Sequence, residues 1–314
     1  MKHMKKTVSV LLLAALAVLP LLPSGCASEP PAIDTIREVV SDAPSDPAAP
    51  VSRAEPTTEP STEPETTRAV DRRAESVYAA HPELTPLNYD SPALLPSTED
   101  AGQAYIDGIV FLCDSPIYWL KLYELLKDGY NTNQVWTGPE GTMTLAYLRG
   151  FEILDPNDGA LRTIPETAAL RKPPVILITV GVNGIAFMDE DYFKTEYRNL
   201  IDELQAASPD TRLILQSILP ITRDYIHWGS ITNEIVTRAN SWIVELAEEY
   251  GLPYLDTFSA LVDENGNGKA ELMQGDGLHP NRDGQTLILE YIRTHADPAA
   301  LAAIGQPAAE AASE

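Results

Sequence analysis

Short apolar runs alternate with amphipathic stretches over residues 88–296, and this alternation predicts strands and helices in turn. The run at residues 175–180 consists almost entirely of β-branched and aliphatic residues, which is typical of a buried parallel strand. Similar runs predict three further strands, at residues 108–112, 212–217 and 253–255. Apolar residues at helical spacing predict helices at residues 116–127, 189–207, 230–250 and 283–295.

Strands that alternate with helices imply a parallel sheet with helices on both faces. In such a sheet, functional residues collect just beyond the carboxyl ends of the strands. Three loops follow predicted strands at this edge, and they contain Ser115, Asn183 and Pro220. We therefore expect an active site there.

The first 25 residues have the pattern of a signal peptide. Lysines at positions 2, 5 and 6 precede an apolar stretch, residues 8–22, that is short for a membrane span. The stretch closes on Leu22-Pro23-Ser24-Gly25-Cys26, which resembles the lipobox of bacterial lipoproteins, although Pro23 departs from the usual aliphatic residue. The resemblance implies a lipidated Cys26 that anchors an exported, cell-surface protein to the membrane. An ordinary secretory signal with an incidental cysteine is the alternative, and it also implies export.

Residues 26–87 are predicted to form a disordered tether. Proline, threonine and glutamate dominate, and no aromatic residue occurs between residues 27 and 77. Such a composition cannot bury enough apolar surface to offset the entropy of ordering the chain. A glycosylated stalk is the alternative. Residues 88–296 are then the folded domain, and residues 297–314 are an alanine-rich tail, frayed or weakly helical.

The charge of the chain limits its partners. Acidic residues outnumber basic ones by 46 to 22, which gives a formal net charge of −24. Removal of the three signal lysines would lower it to −27 (−24 minus 3). Such a surface repels nucleic acid and anionic polymers, so we expect a neutral substrate or partner. Cys26 and Cys113 are the only cysteines, and lipidation of the first would leave no intramolecular disulfide.

Asp276 and His279 stand three residues apart in the glycine-flanked segment of residues 275–281. An imidazole acts as a general base when a neighbouring carboxylate fixes its tautomer and direction. A polar loop that caps the following helix is an equally good interpretation of this segment alone.

Two other segments also have a structural and a catalytic interpretation. Ser115 stands at a strand-to-helix turn before Pro116, where serine is usually a helix cap but can also be an exposed nucleophile. Asn183 lies between glycines at the end of a predicted strand, where it is either a turn residue or an amide donor to an oxyanion.

Together these segments resemble the blocks of the SGNH (GDSL-type) hydrolase family, in the same order and at the same strand ends. The matching segments are Phe111-Leu112-Cys113-Asp114-Ser115, Gly181-Val182-Asn183-Gly184 and Asp276-Gly277-Leu278-His279. The resemblance covers about two thirds of the chain. It implies a three-layer αβα sandwich around a mostly parallel five-stranded sheet, the flavodoxin-like arrangement of that family. It further implies that Ser115 is the nucleophile, that Asp276 and His279 complete the triad, and that Asn183 belongs to the oxyanion hole with the Ser115 N–H.

The family also places a glycine donor between its second and third strands. Gly141 is the better candidate because a helix-like run follows it directly, and Gly138 is the alternative. The chain departs from the family at Cys113, where the family has glycine, and at Gly184, where it has aspartate. Cys113 could itself be a nucleophile, but its place in the strand favours a small buried side chain.

The resemblance implies a serine esterase, and because the sequence shows no metal-site or phosphate-loop motif we expect no cofactor and no metal. We expect the substrate to be a small acyl group, such as acetate, on an extracellular carbohydrate, and location and charge are the grounds for the carbohydrate part. The alternatives are a cell-envelope O-acyltransferase and a non-catalytic glycan-binding module, and we expect a monomer in each case.

Tyr225, His227 and Trp228 are candidates to line the substrate pocket, with packing as the alternative for Trp228. Residues 263–268 resemble the start of a calcium-binding loop, but Gln274 replaces the expected glutamate, so an acidic turn is favoured.

Overall fold

The computed structural model describes residues 69–227 and 229–305. Its strands are β1 (Ile109–Cys113), β2 (Val135–Trp136), β3 (Glu152–Leu154), β4 (Leu161–Thr163), β5 (Val175–Thr179), β6 (Arg212–Gln216) and β7 (Tyr254–Leu255). Five of them form a parallel sheet in the order β2-β1-β5-β6-β7. The other two, β3 and β4, form a separate antiparallel hairpin.

Helices precede, separate and follow these strands. The α-helices of the described residues are α1 (Glu75–Ala80), α2 (Gln103–Asp107), α3 (Ser115–Leu122), α4 (Ile164–Arg171), α5 (Glu190–Ala207), α6 (Asn233–Tyr250), α7 (Thr257–Leu261), α8 (Arg282–Thr294) and α9 (Pro298–Gly305).

The central sheet has a hydrophobic core on each face, because successive side chains of a strand point to opposite faces. In β5, Ile176 and Ile178 belong to a core that contains residues of α4, α5 and α6. Val175 and Leu177 belong to a second core with residues of α2, α3 and α8. The three-layer αβα sandwich with a five-stranded parallel sheet is therefore confirmed.

Four of the five central strands lie where the apolar runs predict them. The pattern did not locate β2, because only two residues pair there. The helix predicted over residues 116–127 ends at Leu122, and Glu124 and Asp128 adopt positive φ angles of 57° and 63°, which a helix cannot contain.

The predicted boundary between tether and domain at residue 87 is wrong. Helix α1 lies within the segment assigned to the tether, and Ala74, Val77 and Tyr78 are buried in the core. Leu84 and Leu87 are buried as well. This short apolar cluster supplies the burial that the preceding proline- and threonine-rich residues cannot. The signal peptide, Cys26 and the tether up to residue 68 lie outside the described residues.

The first part of the predicted tail is helical. The carboxylate of Asp297 accepts hydrogen bonds from the backbone N–H groups of Ala299 and Ala300, which caps α9, and its Oδ2 lies 2.7 Å from Arg212 Nε. Residues 306–314 lie outside the described residues. Within residues 69–227 and 229–305, no helix has both the length and the apolar composition to cross a membrane.

Candidate active site

Three loops at the carboxyl edge of the sheet bring the predicted catalytic residues together. Ser115 directly follows β1 and is the first residue of α3, with Asp114 in extended conformation before it. Asn183 lies in the loop after β5, and His279 lies in the loop before α8. Because β1 and β5 are parallel neighbours, their two loops leave the sheet side by side.

A chain of hydrogen bonds connects the three predicted triad residues. His279 Nε2 lies 2.9 Å from Ser115 Oγ, and His279 Nδ1 lies 2.6 Å from Asp276 Oδ2. With the proton on Nδ1, the imidazole donates to the carboxylate and accepts from the serine hydroxyl, as a general base must. Ser115 and His279 are half-buried, so part of each residue is exposed to solvent.

Asp276 is held as a carboxylate by its own loop. Its second oxygen, Oδ1, accepts the backbone N–H groups of Leu278 at 2.9 Å and His279 at 3.1 Å. Burial opposes ionisation, but the hydrogen bonds from His279 and Leu278 outweigh it and lower the pKa of Asp276 below its ordinary value. The residue is therefore ionised at neutral pH.

Contacts with neighbouring segments fix the position of residues 275–281, which we call the histidine loop. The N–H of Thr222 donates to the carbonyl oxygen of Gly277 at 2.9 Å. Gly277 has a φ of 76°, and a side chain there would collide with Thr222 Oγ1. Farther along, the side chain of Gln285 donates from Nε2 to the carbonyl oxygen of Pro116 at 2.6 Å. This buried bond ties α8 to the start of α3 and so keeps the histidine and serine loops together.

The amide of Asn183 lies beside the loop that follows β2. Its Nδ2 donates to Thr142 Oγ1 at 2.9 Å and to the carbonyl oxygen of Met143 at 3.1 Å. An oxyanion would have to replace one of these acceptors, and the exposed hydroxyl of Thr142 is the easier one to displace.

Both candidate glycines lie in the same turn. Gly141 packs against α3, since a side chain there would collide with the ring of Tyr118, and it adjoins Thr142, the partner of Asn183. Its N–H donates to the carbonyl oxygen of Gly138 at 2.9 Å, so this bond must be shared or exchanged if Gly141 is to bind an oxyanion. The assignment of Gly141, with Gly138 as the alternative, stays a prediction.

Sequence reasoning missed the contribution of Asp114. This side chain is fully buried, and its Oδ2 accepts the backbone N–H of Gly181 at 3.2 Å, which links the serine loop to the asparagine loop. Burial raises the pKa of Asp114 to about 7, although the N–H groups of Gly181, Asn183 and Val182 oppose the change. The available signal was an acid at the end of an apolar strand.

Cys113 lies in the core instead of in the site. Its side chain is fully buried at the end of β1, and burial raises the pKa of its thiol. A nucleophilic cysteine needs exposure and a stabilised thiolate, and Cys113 has neither.

Two cavities adjoin the site without containing the triad. The first, of about 10 Å³, is lined by the immediate neighbours of the reacting residues, among them Asp114, Pro116, Val182 and Leu278. It has room for about one water molecule. The second, of about 550 Å³, shares Thr222 with the histidine loop but opens toward residues 263–268.

Residues 263–268 form a closed acidic turn. Asp263 Oδ1 accepts the N–H groups of Asn265 and Asn267, which occupies this carboxylate oxygen. Within the described ranges, no three His, Cys, Asp or Glu side chains are grouped so that they could hold a metal ion. Tyr225 is buried and lies edge-on to the exposed His227 at 5.6 Å, while Trp228 lies outside the described residues.

A parallel α/β sheet with a Ser–His–Asp chain at its carboxyl edge is an arrangement of serine hydrolases. Residues 119–287, more than half of the 314, match the family model of the GDSL-like lipases and acylhydrolases, and the chain belongs to that family. The match contains Gly141, Asn183, Asp276 and His279 but begins four residues after Ser115. The geometry at β1 therefore supplies the nucleophile candidate independently.

Individual relatives are distant. The chain is 26% identical over 145 residues to thioesterase 1/protease 1/lysophospholipase L1 of Escherichia coli K12, a match that spans 46% of this chain and 64% of that protein. A carbohydrate esterase family 3 structure from Talaromyces cellulolyticus is 18% identical, with a TM-score of 0.37, over 59% of this chain and 93% of that one. A GDSL-like lipase from Bacteroides thetaiotaomicron is also 18% identical, with a TM-score of 0.41, over 59% and 85% of the two chains.

Proposed function

We propose that this protein is a serine esterase that removes a small acyl group, such as acetate, from a carbohydrate. The observation that carries the proposal is the hydrogen-bonded chain from Asp276 through His279 to Ser115, with distances of 2.6 and 2.9 Å. Membership of an acylhydrolase family supports the reaction class.

The proposed reaction begins when His279 accepts the proton of Ser115 and the serine oxygen attacks the ester carbonyl. Asp276 stabilises the imidazolium that results. The proton on Nε2 then passes to the leaving alcohol, and the acyl group remains on Ser115. Water, deprotonated by His279, attacks this acyl-enzyme and releases the acid, which restores the free serine.

Three donors are proposed to stabilise the negative oxygen of the tetrahedral intermediate. They are the N–H of Ser115 at the first turn of α3, the N–H of Gly141 and the side-chain amide of Asn183. The positive end of the helix adds to the field of the first donor. Each such donor contributes about 3 kcal/mol to transition-state stabilisation.

Size and charge support the proposed substrate. The cavity lined by the immediate neighbours of the reacting residues measures about 10 Å³, which is too small to hold a long acyl chain. The net charge of −24 disfavours anionic substrates. The curated relative is named a thioesterase and lysophospholipase, so an acyl-length series from acetate to octanoate is the appropriate comparison. We expect acetate to be preferred.

We further propose that the protein acts as an exported monomer, anchored to the membrane through Cys26. The export and the anchor rest on the sequence of the first 26 residues alone. Labelling of living cells with radioactive palmitate, for the wild type and for Cys26→Ala, tests it directly, and equal labelling of the two would contradict the anchor.

A fluorophosphonate probe tests the catalytic proposal. The wild-type protein should be labelled, Ser115→Ala should not, and Ser241→Ala, which changes a helical serine distant from the triad in sequence, should behave as the wild type. Acetate release from acetylated oligosaccharides should depend on Ser115 in the same way. Equal labelling of wild type and Ser115→Ala would reject the assignment, and transfer of acetate to added sugars instead of water would indicate an acyltransferase.

A further inference from the structure

One aromatic side chain of α3 lies beside the catalytic imidazole. The ring centre of Trp119 is 6.0 Å from that of His279, and the two ring planes are inclined at 52°. Trp119 is half-buried, so part of its ring is open to solvent. Its indole N–H has no hydrogen-bond acceptor among residues 69–227 and 229–305. The ring therefore offers both an apolar surface and an indole N–H donor next to the reacting atoms.

Neighbouring side chains hold this ring in place. The ring of Tyr123, the residue directly after the last residue of α3, lies 5.2 Å from that of Trp119. On Tyr123 the guanidinium of Arg282 lies 5.2 Å from the ring centre, a cation–π contact from the start of α8. Helices α3 and α8 thus both support the pair Trp119 and Tyr123, which we call the aromatic platform.

The proposed chemistry determines which half of an ester this platform would meet. His279 must donate its proton to the oxygen of the leaving alcohol, so the alcohol has to lie against the imidazole. The ring of Trp119 lies 6.0 Å from that imidazole, centre to centre. The platform lies beside this imidazole and is therefore close to the alcohol half of the substrate.

The chemistry of the platform favours one kind of alcohol. The face of an indole ring is electron-rich and attracts the slightly positive C–H groups of a saturated ring. The indole N–H is a donor only, and it suits a hydroxyl oxygen. A pyranose presents C–H groups on one face and hydroxyls around its rim, whereas the hydrocarbon chain of a fatty alcohol offers no oxygen to the N–H. We infer that Trp119, supported by Tyr123, binds a neutral sugar ring in the alcohol half of the ester.

This inference rests on the proposed esterase function, and a pair of substrates separates the two. An acetylated xylo-oligosaccharide has a sugar ring to stack, whereas ethyl acetate has none. Trp119→Ala should raise KM for the oligosaccharide about tenfold, the value of one good aromatic contact. Hydrolysis of ethyl acetate should stay within about twofold of the wild-type kcat/KM, because the imidazole and serine are unchanged.

Two further variants complete the experiment. Trp119→Phe keeps an aromatic face but loses the N–H, so its KM should fall between those of the wild type and the alanine variant. Tyr250→Ala is the matched control, because Tyr250 is also half-buried but lies at the far end of α6, where its hydroxyl binds Asp202. Its KM values should equal those of the wild type.

The outcomes are distinguishable. If Trp119→Ala loses the same factor in kcat/KM on both substrates, Trp119 positions the histidine and does not bind sugar. An unchanged KM of this variant for the oligosaccharide would also overturn the inference. If the wild type hydrolyses ethyl acetate but no acetylated sugar, the aromatic platform does not bind sugar, while the proposed esterase activity stands. Failure on both substrates, with no fluorophosphonate labelling, would reject the proposed function itself.

Discussion

Replacement of Asp114 by asparagine should remove a pH dependence of stability that the native carboxyl group imposes. The group is fully buried, and burial raises its pKa from 3.8 to about 7. The folded protein therefore binds this proton more tightly than the unfolded chain does. The protonated Asp114 carboxyl contributes its full stabilisation below the pKa that the group has in the unfolded chain. This stabilisation is lost as the pH rises through the pKa of the group in the folded protein.

The size of the effect follows from these two pKa values. Between pH 5 and pH 8 the carboxyl group of the folded protein loses its proton, while that of the unfolded chain is already ionised. Integrating the difference in bound protons predicts that the free energy of unfolding falls by about 2.5 kcal/mol over this interval. Asparagine cannot ionise, but its amide oxygen can still accept the N–H of Gly181. The pH dependence should therefore disappear without loss of the link between the two loops.

Urea denaturation at pH 5 and pH 8 measures this effect. The free energy of unfolding of Asp114→Asn minus that of the wild type should be about 2.5 kcal/mol larger at pH 8 than at pH 5. Asp256→Asn is a matched control, because Asp256 is also buried and burial raises its pKa to about 6. For Asp256→Asn the same difference in the free energy of unfolding should grow by only about 1.4 kcal/mol between pH 5 and pH 8, and most of the change should occur below pH 7. If the difference between Asp114→Asn and wild type is the same at both pH values, the carboxyl is not perturbed by burial and the reasoning fails.

Three further substitutions test the site and the fold. Asp276→Asn should lower kcat for acetate release by ~10³- to 10⁴-fold at unchanged KM, because the imidazole loses its fixed tautomer; a loss below tenfold would contradict a triad role. Asn183→Ala should lower kcat/KM about 100-fold, measured with ethyl acetate, and a change in KM alone would argue against transition-state stabilisation. Asp155→Ala should lower the free energy of unfolding in urea by about 2–3 kcal/mol, since the buried carboxylate pairs with the partly exposed Arg162 and Arg171. Activity per folded molecule should be unchanged in that variant.

The parallel sheet could be predicted because its strands are buried on both faces. A strand such as β5 must be apolar at every position, and that requirement is visible in the sequence without knowledge of its neighbours. Strand β2 pairs through only Val135 and Trp136, so it leaves no comparable pattern. Its place at the edge of the sheet depends on β1 and is a property of the assembled fold.

The residues of the candidate site could be predicted for a different reason. Each one stands next to a strand end or a tight turn, where the local sequence restricts the backbone. The long-range contacts could not be predicted in this way. The bond from Gln285 to the carbonyl oxygen of Pro116 joins residues 169 positions apart, and no local pattern identifies it. The same holds for the bond between Asp114 and Gly181.

The two departures from the family pattern have different physical consequences. Cys113 replaces a glycine in the strand, where a small apolar side chain fills the core and is kept from solvent. Gly184 replaces an aspartate, and its φ of 127° is one that residues with side chains rarely adopt. A Cβ there would also lie 3.0 Å from Met188 Sδ. The loop after β5 therefore adopts a conformation that requires glycine at position 184. The buried carboxyl of Asp114 accepts a hydrogen bond from the N–H of Gly181 in the same loop. The orientation of Asn183 in this chain consequently depends on Asp114 and Thr142, and not on a carboxylate at position 184.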